Sequence, residues 1–342
     1  MTVAGLPDRM MAAYVTGPGP AEEIRYGLLP VPTPGPTDVL VKVLAVAVNP
    51  VDTFVRSGTY RTPMPAPFIV GRDLVGVVVA GGSGVSGFAP GDRVWCNSLG
   101  HAGRQGAAAE YAVVAADRLY PLPAGVDPVD AVAVLHPAAT AYLALFRHAR
   151  LQPGETVYVA GGGGNVGTAL IELAARAGAR VVASARDDDH ERCRARGAAA
   201  VVDYRAADLT ERLRLHAPHG VDVHIDTSGH NDLTAAVGLL APRGRIVLIA
   251  GRDATPPLPV GDLYTRDASI VGFAISNTST GDLAAAAARI NQLLATGALT
   301  PTTVQTLPLS AAAKAHRLVE DGAAHGQRLV LCPAEEPAVT SR

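Results

Sequence analysis

Between residues 11 and 120 the apolar positions fall in short runs. Examples are "VLVKVLAVAVN" (39–49), "LVGVVVAGG" (74–82), "DRVWCN" (92–97) and "AEYAVVAADRLYPL" (109–122), interrupted by "PVPTPGPTD", "TPMPAP" and "APGD". Apolar runs bounded by Pro and Gly clusters predict short strands, so this stretch is expected to be an all-β unit. After Pro123 the period changes: "DPVDAVAVLHPAATAYLALFRHA" (127–149) has helical apolar spacing, and "QPG" closes it before the strand "ETVYVA". Strand-like and helix-like segments then alternate: "NVGTALIELAARAG", "ARVVASA", "DHERCRARG", "AAVVDY", "DLTERLRLHA", "VDVHIDTS", "DLTAAVGLLAPRG" and "RIVLIAG". Alternation of this kind predicts a parallel sheet with helices on both faces. "ASIVGFAIS" (268–276) reads as a last strand and "DLAAAAARINQLLATG" as a helix. Residues 298–331 add a strand-like piece, the helix "AAAKAHRLVEDG" and the strand "QRLVLC", and the polar end is expected to be disordered over 336–342.

At 342 residues the chain is long enough for two domains, and 48% hydrophobic content supplies a substantial core. The net charge of −2, with basic residues dispersed, offers no footprint for nucleic acid or an anionic membrane and favours a small neutral or anionic ligand. Cys96, Cys193 and Cys332 lie far apart and outside any metal-ligand spacing, which predicts a reduced, zinc-free cytoplasmic protein. The start lacks the pattern of a secretory signal, and no segment reaches ~18 unbroken apolar residues, so membrane spanning is not expected.

The segment "VAGGGGNVGTALIE" (159–172) carries the chemistry. Gly162, Gly164 and Gly167 fit G-x-G-x-x-G after a strand, with Asn165, Val166 and Gly167 opening a helix. Glycine there serves a tight turn, backbone approach to a pyrophosphate and close helix–strand packing. The helix N-terminus adds unpaired N–H donors and a positive dipole end. Dinucleotide binding is therefore expected, with a bare geometric turn as the alternative. About twenty residues past the first glycine, an NAD site usually carries an acidic residue. Here "ASARDDD" follows Ser184 with Ala185 and Arg186, which favours NADPH through a guanidinium on the 2′-phosphate. Alternatively Arg186 pairs with Asp187–Asp189, whose carboxylates would repel the phosphate unless they face solvent.

"AVAVNPVDTFVRSGTY" (45–60), "GRDLVGVVVAGGSGVSGFAPGDRVW" (71–95), "AATAYLAL", "GGGGNVG" and "VVDYR" together resemble the medium-chain dehydrogenase/reductase superfamily, and within it the zinc-free quinone oxidoreductase branch that includes zeta-crystallin. The likeness runs from about residue 12 to residue 332. It implies an α/β chain with a GroES-like, β-rich catalytic domain (1–128 and 276–335) and a Rossmann domain with a doubly wound parallel sheet (129–275). It also implies an active-site cleft between them, a homodimer and NADPH. Zinc-dependent relatives have Cys, His and Cys where this chain has Asn49, Arg72 and His136, so no metal is expected.

By the same resemblance, Asn49 and Asp52 line the site near the nicotinamide. Asn49 bonds the nicotinamide ribose or a substrate oxygen, or else is a turn residue before Pro50; Asp52 orients its neighbours or N-caps the turn "TFVRSG". Tyr60 donates to a substrate carbonyl or packs on its own domain. Arg72 is a cation of the site or a partner of Asp73 or Asp52. Phe54 stands where several relatives have Tyr. On the coenzyme side the resemblance implicates Thr140, Tyr204 (alternatively a strand-end aromatic), Gly251, and the backbone from Phe273 to Ile275.

The expected activity is hydride transfer from NADPH to a quinone or to the β-carbon of an α,β-unsaturated carbonyl. The rivals are a specialised enoyl reductase of a biosynthetic pathway, and an NADPH-binding structural or regulatory protein with little turnover. The loop "SLGHAGRQGAAAEY" departs from the family's usual short stretch and keeps the second rival open.

Overall fold

A computed structural model describes residues 6–333, so the tail expected at 336–342 lies outside the described residues. Two compact units divide the chain: one takes the residues up to His136 and again from Leu283, the other takes Pro137–Asp282. Both borders fall inside helices, a few residues beyond 128 and 275.

The first unit runs β1 (Arg9–Val15), β2 (Arg25–Pro30), β3 (Asp38–Ala47), α1 (Pro50–Ser57), β4 (Phe68–Ile69), β5 (Asp73–Gly81), β6 (Arg93–Cys96), β7 (Tyr111–Ala115), β8 (Tyr120–Pro121) and enters α2 (Pro128–Tyr142). The second unit carries β9 (Thr156–Ala160), α3 (Asn165–Arg176), β10 (Arg180–Ala185), α4 (His190–Ala195), β11 (Ala200–Asp203), α5 (Leu209–His216) and β12 (Val221–Asp226). It goes on through α6 (Leu233–Leu239), β13 (Leu240–Leu248), α7 (Val260–Tyr264) and β14 (Ser269–Gly272). Then α8 (Thr280–Ala295), β15 (Val304–Pro308), α9 (Ala312–Glu320) and β16 (Arg328–Cys332) follow.

Within the first unit, β2-β1-β4 form a small antiparallel sheet, and a larger one has the order β15-β16-β3-β5-β6-β8. Strand β3 organises the larger sheet. One edge pairs with β5, while the other is shared between β7, on Asp38–Lys42, and β16, on Val46 and Ala47. Every second residue from Val39 to Val43 is buried on one face, as a period of two requires. The end of β3 therefore lies between β16 and β5, where the polar residues described below converge.

The stretch expected to be all-β contains a helix, α1. Asn49 is its N-cap, Pro50 opens it, the Asp52 carboxylate accepts from the Asn49 N–H at 2.7 Å, and Gly58 ends it at φ 77° in the left-handed region. Asp52 is thus the third helical residue reaching back to the cap, not the cap itself. "AEYAVVAADRLYPL" is likewise broken: a 3₁₀ turn at Ala116–Arg118 separates β7 from β8.

The second unit is a six-stranded parallel sheet in the order β11-β10-β9-β12-β13-β14, the 3-2-1-4-5-6 arrangement of a doubly wound dinucleotide fold. Helix α6 stops at Leu239, so the "LAPRG" expected to be helical already belongs to β13, whose pairing with β12 shifts register there. The last strand ends at Gly272, short of the expected Ser276. Pro128–His148, with its terminal π-helical turn, is long and apolar enough to cross a bilayer by length and composition, but most of its side chains are buried within the protein, as in a core helix.

Helix α9 brings one titratable group into an apolar setting. His316 is buried with Nδ1 unpaired, and burial, then the nearby Arg56 charge, pushes its pKa down to about 3. Because the neutral imidazole is the folded form, stability is lost as pH falls from 6.5 toward 3. Replacing His316 with Leu should reduce the acid-side slope of unfolding free energy by up to about 1.4 kcal/mol per pH unit, measured by urea titrations followed by circular dichroism. An unchanged slope would place the acid sensitivity elsewhere, for example at buried His224, whose pKa falls to about 4 by burial.

Candidate functional site

In the second unit, β9 runs into four glycines before α3. Gly161 has φ 78°, so the left-handed turn falls there, one residue before the Gly162 that the motif nominates. The Ser184 carbonyl of neighbouring β10 accepts from the Gly161 and Gly162 N–H groups at 3.1 and 2.8 Å, fixing the turn to the sheet. A Cβ on Gly162 would meet Ala183 at 3.0 Å and Ile171 at 3.1 Å. One on Gly167 would run into the Gly161 carbonyl oxygen. These two positions are glycine because the protein's own backbone and sheet lie against them.

Gly164 differs. It caps α3 in extended conformation, φ −77° and ψ 167°, and a Cβ there would meet only the Gly161 oxygen, at an ordinary 3.4 Å. The fold leaves this position open, which is what a close-approaching ligand needs. No side chain caps α3, so the N–H groups of Asn165, Val166 and Gly167 lack the intrahelical acceptors that later residues have. Arg192 on α4 clamps the turn, donating to the Gly163 carbonyl at 2.7 Å and to Asp189 at 2.6 Å. Asp189 is buried in that ion pair whereas Asp187 and Asp188 are exposed, so the acidic run divides between a clamp and solvent.

Arg186, Tyr204 and Arg205 gather at the carboxyl ends of β10 and β11. Arg186 is exposed, Tyr204 is 46% exposed, and Arg205 donates from Nε to the Tyr204 hydroxyl at 3.3 Å while lying 5.3 Å from its ring centroid. Hydrogen bonding from Arg205 first, and from Arg186 further down, holds the Tyr204 phenol below its usual range. Arg205 was not singled out in the sequence, although it directly follows Tyr204. Ser184 turns inward: its hydroxyl bonds the buried Tyr158 hydroxyl at 2.9 Å. Its contribution to the turn is therefore its carbonyl.

The other coenzyme-side residues are dispersed. Thr140 is half-buried on α2. Gly251, φ 81°, sits where a Cβ would strike Asn231 and the Gly229 carbonyl, so local packing alone demands glycine there. Phe273 stacks on His148 with centroids 4.3 Å apart, and Ile275 begins a 3₁₀ turn.

In the first unit, Asn49, Asp52, Arg72, Asp73, His136 and Arg328 are all buried near the end of β3. Asn49 donates from Nδ2 to Asp73 Oδ2 at 3.0 Å and accepts at Oδ1 from Arg328 at 2.8 Å. His136 Nδ1 lies 3.3 Å from Asp73 Oδ1. The Asp52 carboxylate has one oxygen on the Asn49 N–H and the other, Oδ1, without a partner. Burial above all, then the Asp73 charge, pushes the Asp52 pKa up to about 7, opposed by Arg72 and His136. The fold prefers the protonated form, so this carboxyl costs stability as pH rises from about 4 through about 7. Tyr60 packs half-buried against the apolar core of its unit, and Phe54 is 45% exposed. Asp73 and Arg328, central to the cluster, were not candidates in the sequence.

Among the described residues no group of three or more His, Cys, Asp or Glu is placed to hold a metal ion. Two guanidiniums, those of Arg72 and Arg328, instead bring positive charge into the cluster.

Two family models match this chain: the alcohol dehydrogenase GroES-like domain over residues 35–124 and the zinc-binding dehydrogenase over residues 165–292. Quinone oxidoreductase of Mus musculus is 31% identical over 307 residues, covering 88% of this chain and 91% of that protein. The human quinone oxidoreductase is 30% identical, with the same coverage. Among solved structures, a mycobacterial protein complexed with NADPH is 28% identical with a TM-score of 0.82, covering 95% of this chain and 100% of that one. One described as an NAD-dependent alcohol dehydrogenase is 33% identical with a TM-score of 0.85 and the same coverage.

Proposed function

As a member of the quinone oxidoreductase branch of the medium-chain dehydrogenase/reductase superfamily, this chain is an oxidoreductase that uses a nicotinamide coenzyme, and we propose that it is a zinc-free NADPH-dependent reductase. The acceptor in this reading is a quinone or an α,β-unsaturated carbonyl compound, which share an electron-poor conjugated carbon–oxygen system.

The carrying observation is the pairing of a glycine turn open at Gly164 with two guanidiniums around Tyr204. The N–H groups at the start of α3 would hold the diphosphate, and Arg186 and Tyr204 the 2′-phosphate. When bound, the coenzyme supplies a hydride. This chain's part is to orient and polarise. In our reading Asn49, Asp52, Tyr60 and Arg72 form the acceptor side, with Thr140, Gly251, Phe273 and Ile275 around the nicotinamide. The neutral, protonated form of Asp52 is accessible near pH 7. We also propose a cytoplasmic homodimer, supported by the free state of all three cysteines and the open outer edge of β14. Light scattering on the purified protein tests the dimer.

Fluorescence titration with NADPH and NADH, followed by coenzyme oxidation with a panel of quinones and enones, tests the activity. A hydroquinone product identifies quinone reduction, and a saturated ketone or thioester identifies enone reduction, including that of a biosynthetic enoyl reductase. Tight NADPH binding without oxidation by any acceptor would favour the binding-protein alternative, which the exposed Phe54 in place of a phenol keeps in view. Arg186→Ala should weaken NADPH at least ~10-fold relative to NADH, equivalent to about 1.4 kcal/mol. Equal loss for the two coenzymes would show that Arg186 does not contact the phosphate.

A further inference from the structure

Strand β16 pairs Val330 with Ala47 and Leu331 with Val46, and Val48 donates to the Leu329 carbonyl at 3.0 Å. Continued by one pair, that antiparallel register sets Arg328 opposite Asn49. The Arg328 side chain is buried and makes two directional bonds, from Nε to the Ala133 carbonyl at 2.6 Å and from Nη2 to Asn49 Oδ1 at 2.8 Å. A guanidinium only donates, and an ionised carboxylate only accepts. The Asn49 amide therefore has a single workable orientation, oxygen toward Arg328 and nitrogen toward Asp73. Reversing it would face donor with donor and acceptor with acceptor, leaving buried groups unpaired. In the observed orientation Nδ2 keeps one hydrogen outside these bonds.

We propose that Arg328 is a positioning residue for the reduction, locking the Asn49 amide so that its remaining N–H is presented to the carbonyl oxygen of the hydride acceptor. The assignment rests on the reading of Asn49 as part of the acceptor side. It adds the reason the Asn49 nitrogen stays a donor on a fixed bearing: each end of the amide is bonded to a charged neighbour, the oxygen to Arg328 and the nitrogen to Asp73. A donor fixed in advance needs no reorganisation when negative charge develops on the acceptor oxygen.

Arg328→Met removes both bonds, and Arg328→Lys keeps the charge but not the planar fork. With ¹⁵N-asparagine labelling, assigned through Asn49→Ala, the Asn49 side-chain amide protons should exchange at least ~10-fold faster with solvent in both variants. With an acceptor that wild type reduces, kcat/KM for that acceptor should fall at least ~10-fold. NADPH affinity should stay within about twofold, because the glycine turn belongs to the other unit. Ethylguanidinium, but not ethylammonium, should restore turnover to Arg328→Ala, which a purely structural role would not produce. Unchanged amide exchange in the variants overturns the proposal. So does a loss of NADPH affinity with the acceptor parameters intact, which would give the hydrogen to the coenzyme. Should the Met variant not fold, the Lys variant carries the same readouts. Failure of the functional reading looks different: no acceptor would support NADPH oxidation by wild type, while amide exchange would still decide whether Arg328 fixes Asn49.

Discussion

Gly164→Val should leave the protein folded with a melting temperature close to that of wild type, and raise the NADPH dissociation constant at least ~100-fold, about 2.7 kcal/mol. The backbone at Gly164 is extended, φ −77° and ψ 167°, which any residue adopts, and the new Cβ meets only one oxygen at 3.4 Å. Nothing in the protein opposes the new Cβ, so the loss is expected from the ligand's side. Gly167→Ala is the contrasting control. Its Cβ enters the Gly161 carbonyl, so the turn itself must open and stability should fall together with binding. Thermal unfolding and fluorescence titration on the two variants separate the cases. A Gly164→Val protein that binds NADPH within twofold of wild type would remove the diphosphate from this turn.

The second large effect concerns Asp73. Its carboxylate is fully buried, accepts from Asn49 and approaches His136 at 3.3 Å. Asp73→Ala would remove the larger of the two carboxylate charges that act on buried Arg328, the other being Asp52, and leave an Asn49 donor unmatched. Breaking one side of a buried charge network costs roughly 3–5 kcal/mol, a fall in Tm on the order of 10 °C. Asp73→Asn keeps an acceptor and removes the charge, so it should cost less. It should also lower the Asp52 pKa from about 7, because the Asp73 charge is the second-largest cause of that elevation. The sign is definite: with the like charge gone, Asp52 ionises at lower pH. Infrared measurement of its protonated carboxyl band, assigned with Asp52→Asn, follows the change. An Asp52 titration unaffected by Asp73→Asn would mean that burial alone sets it.

The parts of the fold readable in the sequence are those with a local signature. The βαβ alternation foretold the parallel sheet, and Gly164 and Gly167 stood at motif spacing in "GGGGNVG". Helix α1 was legible only as the turn "TFVRSG", because its signals, Asn49 and Pro50 at the start and Gly58 at the end, also read as turn residues between strands. "LAPRG" looked like a helix end, but its Gly and Pro accommodate a register shift at the start of β13. Asp73 entered the sequence reading only as a possible partner of Arg72, and Arg328 not at all. They come from strands far apart in the chain and meet Asn49 only because the two edges of β3 bring β5 and β16 to its end. The inward orientation of Ser184 was equally illegible: its hydroxyl bonds Tyr158 while its carbonyl holds the turn.

The shared edge of β3 also bears on biosynthesis. Asn49 and Asp73 emerge from the ribosome early, whereas Arg328 lies on the last strand of the described chain. At ~5–20 residues per second, the Asn49 oxygen waits roughly 10–60 s for the guanidinium that fixes it. During that interval the end of β3 lacks its β16 neighbour and the Asn49 oxygen lacks its donor. Completion of this half of the molecule is thereby deferred until the final strand arrives, and chains released before it should be substrates for chaperones and proteases.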